Sequence, residues 1–142
     1  MKNIEKFDKM IETENKVFNG EIAWGSEEQI ANMKTWSEMS DVERFVYDSY
    51  RESKKMNNKH IVIELDCERS DDFIVELDRI FRKFHIHEFS CFGVYNLNVQ
   101  ALFGLQSLGW SMGNKMVTEQ VEAYGHFHDT DEAPVIDMYK MF

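Results

Sequence analysis

The clearest alternation of hydrophobic and polar positions lies in the second half of the chain. Residues 60–66, "HIVIELD", form a short apolar run that is typical of a buried strand. Residues 71–84 repeat apolar positions at helical spacing after Ser70, a good N-cap. Residues 86–95 predict a second strand. Because strand, helix and strand follow one another, we expect a right-handed crossover between two parallel strands.

The pattern continues with one more helix and two closing strands. Asn98 can cap a helix and Gly109 stands where a C′ residue belongs, and four apolar residues recur between them at helical spacing: Ala101, Leu102, Leu105 and Leu108. "MVTEQVEAYGHFH" and "VIDMYKMF" then predict strands at 116–128 and 135–142. An alternative interpretation places a hairpin turn at Gly113-Asn114, after an earlier strand.

The first 59 residues predict mainly helical structure. Residues 1–15 carry apolar side chains on one side. Ser26 opens a helix through about residue 39, and the capping box "SDVE" beginning at Ser40 opens another through about residue 56. Asn19-Gly20, between short apolar runs, predicts a β-hairpin turn. We therefore predict one α+β domain over residues 1–142, with a helical part at 1–59 and a mixed sheet at 60–142.

Charge and composition narrow the class of protein. The chain has 142 residues and a net charge of −10, of which residues 60–142 contribute −8. This acidic balance argues against nucleic acid and favours a partner with a basic surface. The sequence has no apolar run suited to a bilayer and no apolar signal core, and Cys67 and Cys91 show no C-x-x-C spacing. We expect a cytoplasmic protein that binds no membrane.

The order of elements after residue 60 resembles the C-terminal two-thirds of the GNAT acyltransferase superfamily. The fourth-helix pattern of that family, N-x-x-A-x-x-x-Y-x-x-L-G-F, is similar to this chain at Asn98, Ala101, Leu105, Leu108, Gly109 and Trp110. The segment "VIDMYKMF" also resembles the last strand of the family. The resemblance covers residues 60–142 and implies acetyl-CoA as cofactor. It makes Arg69 and Asn98 the candidate cofactor-binding residues, and Glu64, on the first strand of this region, the candidate catalytic base.

The chain departs from the family at three places. The family's glycine-rich pyrophosphate loop is replaced by "DCERSDDF", which has no glycine and whose carboxylates would repel a pyrophosphate. The tyrosine that often protonates the departing thiolate is replaced by Leu105, which has no proton to donate. Helices are also predicted before residue 60, where the family has strands. These departures predict a GNAT-like sheet that has lost acetyl transfer and needs no cofactor.

We therefore expect an acidic module that binds or inhibits another protein. The short, Met-rich, proline-poor and acidic composition is similar to that of small phage-encoded proteins that sequester host proteins. Residues 84–114 contain a single Asp, Glu, Lys or Arg side chain, Glu88, so an apolar partner surface or homodimer face is an alternative to simple core packing there. Two other functions stay open: an N-acetyltransferase with an atypical cofactor loop, and a small metal-binding protein.

Four of the five histidines occur as His-x-His pairs, at 85/87 and at 126/128. Two such pairs on neighbouring strands could form a zinc site. The predicted topology instead places them at opposite ends of the sheet, on the order of 25 Å apart. We therefore expect no shared metal site. The remaining metal candidates are His126 and His128 with Asp129, or the first pair with Glu88.

Overall fold

The computed structural model describes residues 4–58, 60–65, 71–92, 99–121 and 131–142, and the fold is α+β, as predicted. The described residues form five helices and four strands. In chain order they are α1 (Glu5–Phe18), α2 (Glu27–Glu38), α3 (Asp41–Lys55), β1 (Ile61–Glu64), α4 (Asp71–Lys83), β2 (Glu88–Phe92), α5 (Val99–Ser107), β3 (Ser111–Val121) and β4 (Asp131–Tyr139).

The four strands form one mixed sheet in the order β1-β2-β4-β3. β1 and β2 are parallel, with Ile61 opposite Phe89, and α4 is the crossover between them, as predicted. β4 is antiparallel to both of its neighbours. β3 and β2 therefore run in the same direction, each on one side of β4.

Alternation along the strands gives the sheet two different faces. Ile63, Phe89 and Met138 point to one face and join a single large core with side chains of α1, α3, α4 and α5. Val62, Phe92 and Val135 form a smaller apolar cluster on the other face. The described helices thus cover one face, and Glu64 belongs to the opposite one.

The predicted helix starts at Ser26 and Ser40 are confirmed. Each serine has an extended backbone, and its hydroxyl accepts a hydrogen bond from the backbone N–H three residues later. The Gln29 side chain reaches back to the Gly25 N–H in a capping-box manner. The Glu43 carboxylate does not reach back, because it binds two lysines of other helices.

The predicted hairpin turn at Asn19-Gly20 was wrong, and the alternative hairpin turn at Gly113-Asn114 does not form either. Asn19-Gly20 does not turn a hairpin; it ends α1, with Gly20 at φ +76° and its N–H bound to the Val17 carbonyl. Gly113-Asn114 lies inside β3, which begins at Ser111, five residues earlier than predicted. The pairing of β3 with β4 shifts its register between Met112 and Met116, the stretch that contains these two residues.

The described helices include none that is both long and apolar enough to cross a membrane.

Candidate functional site

Of the residues predicted for catalysis or cofactor binding, Glu64 lies among the described residues. It ends β1, opposite Phe92 on β2, and is partly buried on the sheet face away from the helices. The other candidates, Arg69, Asn98, His126, His128 and Asp129, fall outside the described residues. Leu105, which occupies the tyrosine position of the resembled family, is fully buried in the core.

The neighbouring strand holds a serine and a cysteine that could be mistaken for nucleophiles. The Ser90 hydroxyl is fully buried and donates to the Asp137 carboxylate of β4, directly opposite it, at 2.5 Å. Cys91 faces the core, and burial, with a smaller contribution from the Asp137 charge, raises the pKa of its thiol to about 12. A nucleophilic cysteine needs a lowered pKa and access to a substrate. These two side chains serve packing.

No three His, Cys, Asp or Glu side chains lie close enough to hold a metal ion within the part of the chain that the structure describes. His85 follows α4, while His87 precedes β2 and its Nδ1 lies 3.1 Å from the Lys140 carbonyl oxygen. The Nε2 atom of His60 lies 3.1 Å from the Oε2 atom of Glu88. The first His-x-His pair therefore forms no metal site in this arrangement.

Within the described part of the chain, a groove lies between α1 and α2, and we call it the α1–α2 groove. Its volume is about 430 Å³. Its lining is mainly apolar and comes from Met10 and Val17 on α1, Met33 and Trp36 on α2, and Trp24 in the connection between the two helices. Trp24 is 83% exposed and Met33 61% exposed. Large apolar side chains left in water around a concave surface are typical of binding sites.

The groove is built on a helix that contributes little to the core. The single buried residue of α2 is Gln29, whose side chain serves the helix cap. α2 is held mainly at its C-terminal end. There the Arg44 guanidinium donates to the carbonyl oxygens of Trp36, at 3.0 Å, and of Ser37, at 2.9 Å. The Trp36 ring packs edge-on against Tyr47 of the core.

A fixed carboxylate stands in the wall of the groove. Glu14 accepts a hydrogen bond from the Tyr47 hydroxyl at 2.6 Å and pairs with Arg51 at 3.2 Å. Burial raises the pKa of Tyr47 most, and the Glu14 carboxylate raises it further, so this phenol stays protonated and keeps donating. These bonds hold Glu14 in place beside the apolar lining.

The sequence around the groove is acidic. Residues 12–38 contain six acids and two bases, a net charge of −4. Both bases lie within 4.0 Å of a neighbouring acid on the same helix, Lys16 of Glu12 and Lys34 of Glu38. Free carboxylates thus outnumber free cations around the apolar lining.

Sequence reasoning missed this groove. Trp24 lies in a connection that the Asn19-Gly20 pattern predicts to be a hairpin arm. Ile30, Met33 and Trp36 recur every three residues on one side of α2, and this row was the available signal, because it indicates an apolar surface on a helix that the structure leaves half uncovered, with Ile30 and Met33 exposed.

Comparison of the chain with protein-family models, with curated proteins and with solved structures finds no match.

Proposed function

We propose that this protein is a binding module that takes an amphipathic, basic segment of another protein into the α1–α2 groove. The observation that carries the proposal is the exposure of Trp24 and Met33 in the lining of one apolar groove, on a helix that buries no apolar residue. Amphipathic helices bind such grooves with their apolar face, through side chains three and four residues apart.

Charge complementarity identifies the chemistry of the partner. The segment that forms the groove carries a net charge of −4, and the whole chain carries −10. A partner helix with apolar anchors and flanking Lys or Arg gains contact area from the former and electrostatic attraction from the latter. An acidic helix of the same apolar content meets like charge on both sides of the groove.

The sheet half supports a module without acetyl transfer. The described strands form one mixed sheet in the order β1-β2-β4-β3, with β1 and β2 as its parallel pair. Buried Leu105 has no hydroxyl to offer a leaving thiolate, and the sequence "DCERS" after β1 carries acids where a pyrophosphate loop needs glycines. We infer that the sheet is a scaffold, and that binding through the groove can inhibit the partner by covering its basic surface.

The test uses two designed helical peptides of equal length and leucine content, one rich in Lys and one rich in Glu. Trp24 is 83% exposed while Trp110 is 2% exposed, so burial of Trp24 by the peptide shifts the indole emission to shorter wavelength. We expect saturable binding of the Lys peptide, weakening as salt rises, and no binding of the Glu peptide.

A matched pair of variants locates the binding site. Met33→Lys places a positive charge in the groove, while Val75→Lys places one on α4 at a side chain of similar exposure, 56%. We expect Met33→Lys to weaken binding of the Lys peptide at least tenfold and Val75→Lys to leave it unchanged. Equal binding of both peptides, or equal loss in both variants, overturns the proposal. A concentration-dependent dimer of the wild type that Met33→Lys dissociates also overturns it, because the groove would then bind a second copy.

A further inference from the structure

A second cleft lies where α3 and α4 end and β1 and β2 begin. We call it the histidine cleft, because three of the five histidines of the chain, His60, His85 and His87, line it together with Glu88. Its volume is about 400 Å³, and Ile61 and Ile86 contribute apolar surface. Glu64 lies at the other end of β1 and does not line this cleft.

The imidazoles of the cleft present hydrogen-bond acceptors. A carbonyl oxygen can only accept, so the contact of His87 Nδ1 with the Lys140 carbonyl places the proton of the neutral ring on Nδ1. His87 Nε2 then carries a lone pair. His60 contacts the Glu88 carboxylate through Nε2 at 3.1 Å, which leaves its Nδ1 as the acceptor. Glu88, 57% exposed, adds carboxylate oxygens.

The charges around the cleft favour a cation. Lys54 of α3 also lines it, but its ammonium group is 2.7 Å from Asp8 of α1, which accepts from the Tyr50 hydroxyl as well. With neutral imidazoles, Lys54 and Asp8 balance each other and Glu88 leaves one negative charge. The C-terminal ends of α3 and α4 add partial negative charge at the same place.

Both helices end in backbone geometry that ordinarily selects glycine. Asn57, beside cleft residue Asn58, has φ +58°, and His85 has φ +54°; among the described residues these two are the non-glycine residues with positive φ. The His85 and Ile86 N–H groups bind carbonyls of α4 in the pattern of a glycine-ended helix. A strained residue retained beside a cleft is typical of a functional site.

The cleft fits a molecule larger than a metal ion. His60 and Glu88 point to the sheet face away from the helices, whereas His87 shares the parity of Phe89 on the helix face. Acceptors on both sides of the sheet edge therefore surround the cleft without converging on one point.

We propose that the histidine cleft binds a small organic cation that donates several hydrogen bonds, an amine or a guanidine, with Glu88 as its ion-pair partner and His87 Nε2 and His60 Nδ1 as acceptors. The cation is either a free small molecule or a Lys or Arg side chain of a partner.

The test titrates the ¹⁵N-labelled full chain with agmatine, with a neutral-capped Gly-Arg-Gly peptide and with propionate, and follows the amide signals of residues 85–88. We expect saturable shifts with a cation and none with propionate. Glu88→Gln should weaken binding about tenfold. Glu76→Gln, which removes an α4 carboxylate with no place in the cleft, should leave it unchanged.

His85→Gly separates the site from the fold. Glycine suits φ +54°, so this variant should raise the melting temperature, whereas the proposed binding atoms belong to Glu88, His60 and His87. Binding of agmatine assigns a free small molecule, and binding of the Arg peptide alone assigns a partner side chain; either supports the proposal. No saturable shift with either cation, equal shifts with propionate, or full binding by Glu88→Gln overturns it. The readout is independent of the α1–α2 groove, so the two proposals can fail separately.

Discussion

Helices α2 and α4 have nearly the same length, 12 and 13 residues, but they bury very different surfaces. α4 places Ile74, Leu77, Ile80 and Phe81 in the core, and its last turn leads to buried Phe84. α2 buries Gln29 and leaves Ile30 and Met33 exposed. α4 is held mainly by burial of apolar area, whereas α2 is held by its N-cap, by Arg44, by the hydrogen bond from Asn32 to the Met10 carbonyl and by the packing of Trp36 on Tyr47. A helix maintained in this way can serve binding without being essential to the core.

The largest expected effect is the difference in stability loss between truncating a buried residue of α4 and truncating an exposed residue of α2. Leu77→Ala removes a fully buried side chain and should lower the free energy of unfolding by about 2 to 5 kcal/mol. Met33→Ala removes a side chain that is 61% exposed and should change it by less than about 0.5 kcal/mol. Urea unfolding of both variants against the wild type measures the difference. Similar losses in the two variants would mean that α2 is as important to the core as α4.

The contrast between the two helices was only half visible in the sequence. The stripe of α4 follows from regular spacing, and the caps of α2 and α3 follow from Ser26 and Ser40. Asn-Gly, by contrast, suits a hairpin and a helix end equally, and the longer helical context of α1 decided between them. Local sequence patterns predicted helices and their starts correctly where the residues were compatible with one structure only.

The candidate sites depend on contacts that no local pattern encodes. The sequence pairs His85 with His87 because they are close in the chain. The structure pairs His60 with Glu88, because the parallel register of β1 on β2 brings positions 28 residues apart together. The α1–α2 groove similarly depends on how two helices and their connection pack. The strand register and the packing of helices could therefore not be predicted from the sequence.

The ion pairs of α4 and α2 differ in burial, as their apolar contacts do. Lys83 of α4 and Lys6 of α1 both bind Glu43, whose side chain is 6% exposed, at 3.1 and 3.0 Å. Lys34 of α2 pairs only with Glu38, at 4.0 Å, with both side chains in water. Burial is the largest influence on the pKa of Glu43 and raises it, but the hydrogen bonds and charges of the two lysines outweigh burial and lower the pKa below its usual value of 4.5.

Glu43→Gln should therefore destabilise the protein in a pH-dependent way. Because the pKa is lower in the folded state, the stabilisation is fully present above the unfolded pKa, near 4.5, and is lost as the pH falls through the folded value. We expect a loss of about 1 to 2 kcal/mol at pH 7, moderated by the half-exposed lysines, and no difference at about pH 2. Urea unfolding at several pH values checks this.

A control isolates the burial of that carboxylate. Asp41→Asn also removes an α3 carboxylate, but Asp41 is fully exposed in its pair with Arg44 and should contribute little at any pH. If Glu43→Gln were as mild as Asp41→Asn at pH 7, the link between α1, α3 and α4 would not depend on this charge.

The smallest expected effect concerns acetyl-CoA and separates a binding module from an enzyme. A ligand that binds the folded state at about 100 times its Kd adds about 2.7 kcal/mol of stability. We expect acetyl-CoA to leave the melting temperature unchanged, because the sequence after β1 places Asp66, Glu68, Asp71 and Asp72 around Arg69 where a pyrophosphate would bind. A rise in the melting temperature that Arg69→Ala removes would restore the acetyltransferase interpretation, with Glu64 as its base. A rise that survives in Arg69→Ala would instead show that the cofactor binds away from this loop, and the α1–α2 groove, as the larger apolar surface, would then be the first place to look for it.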